Sequence, residues 1–210
     1  MFITFEGTDC VGKSTQAKLL ANRLENEGHT VVCTHEPGGT EIGKQCRQIL
    51  KHSTVPIFPE TELLLMNASR AQLVREVIQP ALSLGHVVIS DRYYDSTLAY
   101  QHYGRMIDMG QVREVIACAI DGCSPDLTLL LTVKPETVRE RKAFRGDKVH
   151  DRFEAAGDSF MAKVDRGFAE LARAFNRIKV VPADSSADRV AEAVWAQVTL
   201  AMSKRVQGRI

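Results

Sequence analysis

Apolar positions fall along this chain in short runs that alternate with longer stretches of helical period. FITFE at 2–6 is apolar, β-branched and aromatic, is bounded by Gly7, and predicts a buried strand. Further strands are predicted at 30–34 (TVVCT), 86–90 (HVVIS), 126–133 (DLTLLLTV) and 178–183 (IKVVPA). The run at 126–133 is almost wholly apolar, which predicts burial on both faces. Helical patterns separate the strands. The first covers 14–27, with Ala17, Leu20, Ala21 and Leu24 on one face and Gly28 as its stop. Others are predicted at 41–51, 60–84, 108–121, 135–144 (opened by Pro135), 155–176 and 186–202. Pro80 interrupts the 60–84 pattern, so it is expected either to kink the helix or to sit where its lost hydrogen bond matters least. The stretch 145–154, RGDKVHDRFE, is charged and predicts an exposed loop.

Strands alternating with helices predict an α/β three-layer fold, with a central five-stranded parallel sheet flanked by helices. Ligands bind such sheets at the carboxyl ends of the strands. The loops 7–14, 36–40 and 91–97 all follow strands and should gather at one edge. The 210 residues, without a repeat or linker, suit a single domain over 1–210. Composition is ordinary for a globular chain, at 44% hydrophobic and 25% charged. A net charge of +1 leaves no general positive excess of the kind that drives nucleic-acid or membrane binding, so neither partner is expected. Five cysteines without a CxxC pair argue against a disulfide framework and a zinc site, and fit free thiols in a reducing cytoplasm. No apolar run reaches a membrane span, and a secretory leader's basic-then-apolar order is missing. A cytoplasmic location is the expectation.

The chemistry begins at GTDCVGKS, residues 7–14, which fits Gly, four residues, then Gly-Lys-Ser. Gly7 and Gly12 let the backbone wrap so that N–H groups point at phosphate oxygens. Lys13 reaches the β- and γ-phosphates, Ser14 ligates Mg²⁺, and the helix that follows adds its positive dipole end. A strand before the loop and a helix after it are the context this motif requires. The loop does not name the reaction. A GTPase would carry an NKxD guanine-reading motif, which is missing, and a motor ATPase usually ends its apolar strand in Asp-Glu. Here the strand ends in Asp91-Arg92. Asp91 suits the Mg²⁺ shell, and Arg92 suits a clamp on a second phosphate. A helix cap and a surface ion pair are their ordinary alternatives.

With FEGTDCVGKST, EPGGT at 36–40, Arg47, SRAQ at 69–72, SDRYYDSTLAYQ at 90–101, SPDLTLLL at 124–131 and DRFE at 151–154, the chain resembles the thymidylate kinase family almost end to end. That resemblance implies a P-loop NTPase-type fold with a small lid at about 142–154, a Mg²⁺-dependent transfer from ATP to dTMP, and a homodimer packed through helices such as 60–84 and 108–121. It implies that Gly7, Thr8, Asp9, Cys10, Val11, Gly12, Lys13, Ser14 and Thr15 wrap the ATP phosphates, and that Arg141 packs on adenine. Asp9 would accept a hydrogen bond from the acceptor's 3′-hydroxyl, or else brace the loop. Glu36 and Pro37 would shape the acceptor pocket, and Arg47 and Arg92 would hold the acceptor phosphate. Arg70 would read the thymine edge, the alternative being an ion pair such as that with Glu76. Thr97 would meet the pyrimidine's polar edge. Tyr100 would crowd the sugar's C2′ or pack against the sheet.

Some members of the family place an arginine inside the phosphate loop; here that position is Cys10. Arg145 then matches the lid arginine that reaches the transferred phosphoryl, within a basic segment that also holds Arg139, Arg141, Lys142 and Arg152. By composition alone that segment is a solvated charged loop. Two rivals stand beside this reading: a kinase for another deoxynucleotide or nucleoside, and an ATP-binding regulator without turnover.

Met66 occupies the position where the family usually carries an aromatic on the thymine ring. Methionine sulfur on a ring contributes ~0.3–1.5 kcal/mol, whereas a stacked aromatic contributes ~1–3 kcal/mol. Met66→Phe is therefore expected to tighten dTMP binding and to sharpen discrimination against dUMP, read as the Kd for each by calorimetry. Unchanged affinity and unchanged base preference would refute this account of the position.

Overall fold

The computed structural model describes residues 1–145, 152, 153, 156–206 and 208. Their five strands form one parallel sheet: β1 (Phe2–Glu6), β2 (Val31–His35), β3 (Val87–Asp91), β4 (Leu127–Thr132) and β5 (Ile178–Pro182). The spatial order is β2-β3-β1-β4-β5. β1 is central, with Phe5 opposite Asp91 on one side and Glu6 opposite Leu130 on the other. His35 at the end of β2 also lies opposite Asp91. The carboxyl ends of β1, β2 and β3 are therefore level.

Side chains alternate across the sheet with the two-residue strand period. Ile3, Phe5, Leu129 and Leu131 join Leu20 and Leu24 of α1 (Lys13–Asn26), and Val190, Val194 and Val198 of α9 (Ala187–Val206), in one core layer. On the opposite face, Leu130 and Ile178 meet Leu63 of α3 (Pro59–Leu73), Val112 and Ile116 of α6 (Met109–Ile120), and Val164, Phe168 and Leu171 of α8 (Asp158–Ala174). A third cluster packs Phe2 and Val88 against Leu73, Val74, Ile78 and Tyr93. Among the described residues no helix is long and apolar enough to cross a membrane.

The 60–84 pattern is not one kinked α-helix. α3 runs into a π-helical turn at Val74–Ile78 and then into the short α4 (Gln79–Ser83). Pro80 has no N–H to return to the carbonyl of Glu76. The Gln79 N–H donates to Val74 instead, and this wider turn absorbs the missing bond. The stretch after β3 also differs from a loop. A four-residue α5 (Tyr94–Thr97) continues as a π-helical segment, Leu98–Gly104. That segment presses on α8 through two glycines. A Cβ on Gly104 would lie 2.6 Å from the Phe160 ring, and one on Gly167 would lie 2.7 Å from the Tyr103 ring.

α2 (Glu41–His52) starts at Thr40, whose hydroxyl accepts the Gly43 N–H at 3.0 Å. α7 (Pro135–Arg145) includes the first residue of the stretch predicted as loop, and α8 begins at Asp158 rather than 155. Most of the predicted lid lies outside the described residues. The two residues described toward its C-terminal end are not exposed: Phe153 is buried and Arg152 is bonded into the body.

Asp95 in α5 lies in the core with almost no exposure, and its carboxylate is held by both Arg177 Nη atoms at 2.6 and 2.7 Å and by Thr128 at 3.2 Å. Removing Arg177 strands a buried charge, a change that typically costs about 3–5 kcal/mol. Arg177→Ala should lose about that much in urea unfolding, and Arg177→Ala with Asp95→Asn should recover part of it. Equal stability of wild type and Arg177→Ala would refute the assignment.

Candidate active site

The phosphate loop leaves β1 at Gly7, whose φ of +129° and close approach to Leu131 admit no side chain: a Cβ would sit 2.5 Å from that carbonyl oxygen. Cys10 and Gly12 also have positive φ, 65° and 104°, which turn the chain into α1. Lys13 Nζ donates to the carbonyls of Gly7 (3.1 Å) and Thr8 (2.7 Å), so its ammonium lies folded over the loop. Ser14, in the first turn of α1, donates its hydroxyl to Asp91 at 2.5 Å. Residues 77 apart in sequence meet here because β1 and β3 pair in parallel with Phe5 beside Asp91. A hydroxyl and a carboxylate are hard oxygen donors. They suit Mg²⁺, which takes few protein ligands and completes its shell with water and phosphate oxygens.

Asp9 faces Arg92, at 2.7 Å, with Lys13 at 4.0 Å. Burial opposes its ionisation, but the Arg92 and Lys13 charges and the Arg92 hydrogen bond prevail and hold the carboxyl well below the usual carboxylate range. Asp9 is thus an acceptor only. Arg92 has φ +72°, a strained value for a side-chain-bearing residue of the kind that gathers at functional sites. It also donates to the carbonyl of Gly7 (2.9 Å) and to Ser96 Oγ (3.0 Å), and its guanidinium carbon sits 5.3 Å from the Tyr100 ring centre. Glu6, the last residue of β1, secures this corner. Fully buried, it accepts from the N–H groups of Tyr93 (2.8 Å) and Ser96 (3.2 Å) and from the Ser96 hydroxyl (2.5 Å). Burial, and then the Asp95 charge, push its carboxyl up to about 8.

Arg70 lies wholly inside. Its Nε and Nη2 grip Glu36, Nη2 at 2.6 Å, and Nη1 donates to Asn67 at 2.7 Å. Glu76 is bonded instead by Gln72, at 2.8 Å, so the surface-pair alternative for Arg70 does not form. Arg47 donates to the Pro37 carbonyl at 3.0 Å, and Ser69 accepts the Gly38 N–H at 3.1 Å. The turn 36–40 is thereby fastened to α2 and α3 at once. Arg141 spans the loop carbonyls of Cys10 (3.2 Å) and Val11 (3.1 Å) and that of Ala183 (2.7 Å) before α9.

One cavity of about 1400 Å³ joins these groups. From the phosphate loop it extends one way to Arg141 and Ala187, and the other way to Arg47, Met66, Arg70, Thr97 and Tyr100. The predicted residues Asp9, Cys10, Val11, Gly12, Lys13, Ser14, Thr15, Glu36, Pro37, Asp91 and Arg92 lie on its wall as well. Gly7 and Thr8 stand behind it, with their carbonyls on Lys13. The Arg145 side chain lies outside the described residues. Arg139 pairs with Glu136 on the surface, and Arg152 turns inward to Glu62, so neither faces the loop. Sequence reasoning missed Glu6, Ser96, Gln101 and Phe153. A lone acid ending an apolar strand was the available signal for Glu6. Phe153 had none, being embedded in charged residues.

Lys13 carries a testable titration. Burial first, and Arg92 second, lower its ammonium to about 8, against the pull of Asp9, Asp91 and Glu6. A bound triphosphate needs that ammonium charged. Its affinity should be flat below pH 8 and fall above it, approaching ~10-fold per pH unit. Calorimetric titration of Mg²⁺-ATP between about pH 7.5 and 9.5 reads this slope; Lys13→Met should remove it, and a slope retained in Lys13→Met would assign it elsewhere.

The thymidylate kinase family model matches residues 5–194. A thymidylate kinase from Pelodictyon phaeoclathratiforme is 46% identical over 185 residues, covering 84% of this chain and 85% of its own length. One from a Synechococcus strain, JA-2-3B'a(2-13), is 44% identical over 100% of this chain and 99% of its own. Among solved structures, a thymidylate kinase from Ehrlichia chaffeensis superposes with a TM-score of 0.78 at 31% identity, covering 94% of this chain and 98% of that one. With a matching family model across most of its length, relatives 44% and 46% identical, and a fold shared with a solved thymidylate kinase, the chain belongs to the thymidylate kinase family.

Proposed function

We propose that this protein is a Mg²⁺-dependent dTMP kinase that moves the γ-phosphoryl group of ATP to dTMP, giving ADP and dTDP. One observation carries the reading most directly. Arg92 is held against Asp9 and the loop carbonyl of Gly7 in the cavity that also holds Lys13 and the Glu36-bound Arg70. A donor loop and an acceptor pocket thus share one wall.

In this reading the triphosphate occupies the loop, with Lys13 released from the carbonyls of Gly7 and Thr8 onto the phosphates. Arg141, already laid across the loop, borders the adenine arm. The acceptor occupies the arm between α2, α3 and the 98–104 segment. Arg47 and Arg92 hold its phosphate in line for attack, supplying orientation that would otherwise cost entropy at the transition state. Arg70, its fork immobilised by Glu36 and Asn67, presents N–H groups to the base carbonyl, and Thr97 meets the same edge. Asp9, kept ionised, accepts the 3′-hydroxyl. Tyr100 stands where a 2′-hydroxyl would have to fit. Ser14 and Asp91 would hold the Mg²⁺, which when bound neutralises charge on the β- and γ-phosphates. Arg145 is the group proposed to meet the transferred phosphoryl, since Cys10 cannot do so. The chain would work as a single kinase domain in the cytoplasm, as a homodimer through α3 and α6.

Two arginines for an acceptor phosphate speak against a nucleoside kinase, and Met66 favours some tolerance of dUMP. ADP formation with Mg²⁺-ATP and a panel of dTMP, dUMP, UMP, dCMP, dAMP, dGMP and thymidine tests the proposal. Fast turnover with dTMP, slower turnover with dUMP and little with the others is the expected result. Preference for a different acceptor would move the protein to a sister kinase, and folded, ATP-bound protein without acceptor-dependent ADP would leave a nucleotide-binding regulator.

A further inference from the structure

Behind the acceptor arm, Glu62 of α3 is fully buried and gathers partners from two further segments. Its Oε1 accepts from Gln101 Nε2 at 2.7 Å and Arg105 Nε at 3.3 Å. Its Oε2 accepts from Arg105 Nη2 at 3.1 Å and Arg152 Nη2 at 2.5 Å. Arg152 is tied down again by the carbonyls of Leu50 (3.2 Å) and Ile57 (3.4 Å). Both guanidinium groups border one ring. The Arg152 carbon lies 5.1 Å, and that of Arg105 6.0 Å, from the centre of Phe153. Phe153 in turn is buried, lines the cavity with Met66, and meets Tyr100 edge-on at 5.8 Å.

Stability alone is a weak reason for such a cluster, since apolar residues of the same shape commonly replace buried ion pairs without loss. Direction is the stronger reason. A guanidinium plane held by a carboxylate has a set orientation, and a ring beside two such planes is restrained in tilt and depth. None of Glu62, Arg105 and Arg152 lines the cavity, whereas the ring they restrain does.

We infer that Glu62 is a positioning residue for acceptor binding: through Arg105 and Arg152 it fixes Phe153 against Tyr100, so that Phe153 supplies the aromatic wall which Met66 does not. The inference rests on the placement of dTMP in this arm. It also gives Arg152, a member of the basic segment, a task of its own, since a guanidinium committed to Glu62, Leu50 and Ile57 serves the acceptor wall.

Steady-state kinetics on Glu62→Gln, Phe153→Leu and their combination test it, with thermal melts alongside. Glu62→Gln keeps the size and one acceptor oxygen but lacks the charge. Glu62→Gln and Phe153→Leu should each raise the KM for dTMP by roughly tenfold, with kcat and the KM for ATP within about twofold of wild type. The double variant should bind dTMP no worse than Phe153→Leu alone, because both act through one ring. If Glu62→Gln does not fold, Arg152→Met against Arg152→Lys repeats the test from the partly exposed side, the lysine retaining more of the affinity. An unchanged KM for dTMP, a parallel loss in kcat and both KM values, or additive effects in the double variant would overturn the role. Wild-type protein with no dTMP turnover would overturn the acceptor assignment and this role with it, a failure read from wild type alone and so distinct from the others.

Discussion

The parallel pairing of β1 with β3 is the constraint on which the site depends. Phe5 beside Asp91 brings the start of the phosphate loop level with the Asp91-Arg92 corner, and the Ser14–Asp91 and Asp9–Arg92 contacts follow from that register. A slip of one residue would turn Ile3 and Phe5 out of their core layer and point Thr4 and Glu6 into it, so core packing and site geometry specify the same alignment. Glu6 then converts strand register into local structure. Placed at the carboxyl end of the central strand, its carboxyl oxygens accept the N–H groups of Tyr93, just before α5, and of Ser96 within it, and so secure the segment that carries Arg92, Thr97 and Tyr100.

Around that corner the molecule uses buried charge for orientation. Glu36 with Arg70, Asp95 with Arg177, and Glu62 with Arg105 and Arg152 are each a fully or almost fully buried carboxylate gripped by guanidinium groups. Desolvation consumes much of the Coulomb gain in such pairs. What remains is directional: planar forks in set positions, of which Arg70 lines the cavity while Arg105, Arg152 and Arg177 do not. A phosphoryl-transfer site needs this more than it needs reactive side chains, because charge placement and alignment do most of the catalytic work.

Element types were largely legible because period-2 runs and period-3.6 stretches leave separate marks. The exceptions have specific causes. Pro80 reads locally as a kink, yet the chain resolves it four residues earlier through a π-helical turn, since the lost hydrogen bond belongs to Glu76. The segment 98–104 was not foreseen as helical, because its widened turns blur the spacing and its fit to α8 depends on glycines far apart in sequence, Gly104 and Gly167. Phe153 sits in a run of charges that reads as solvated; an apolar cluster that includes Leu63 and Tyr100, and the bond of Arg152 to Glu62 about ninety residues away, hold it inside.

The sequence by itself determined the alternation of strands and helices, the phosphate loop and the residue types that line both arms of the cavity, because each depends on neighbours within a few positions. Tertiary structure decided the pairings. Nothing local points Arg70 to Glu36, Arg152 to Glu62, or Glu6 to the amides of Tyr93 and Ser96. Those choices are made by which carboxylate loses its water when the layers close, and a buried charge takes the partner that the fold places within reach.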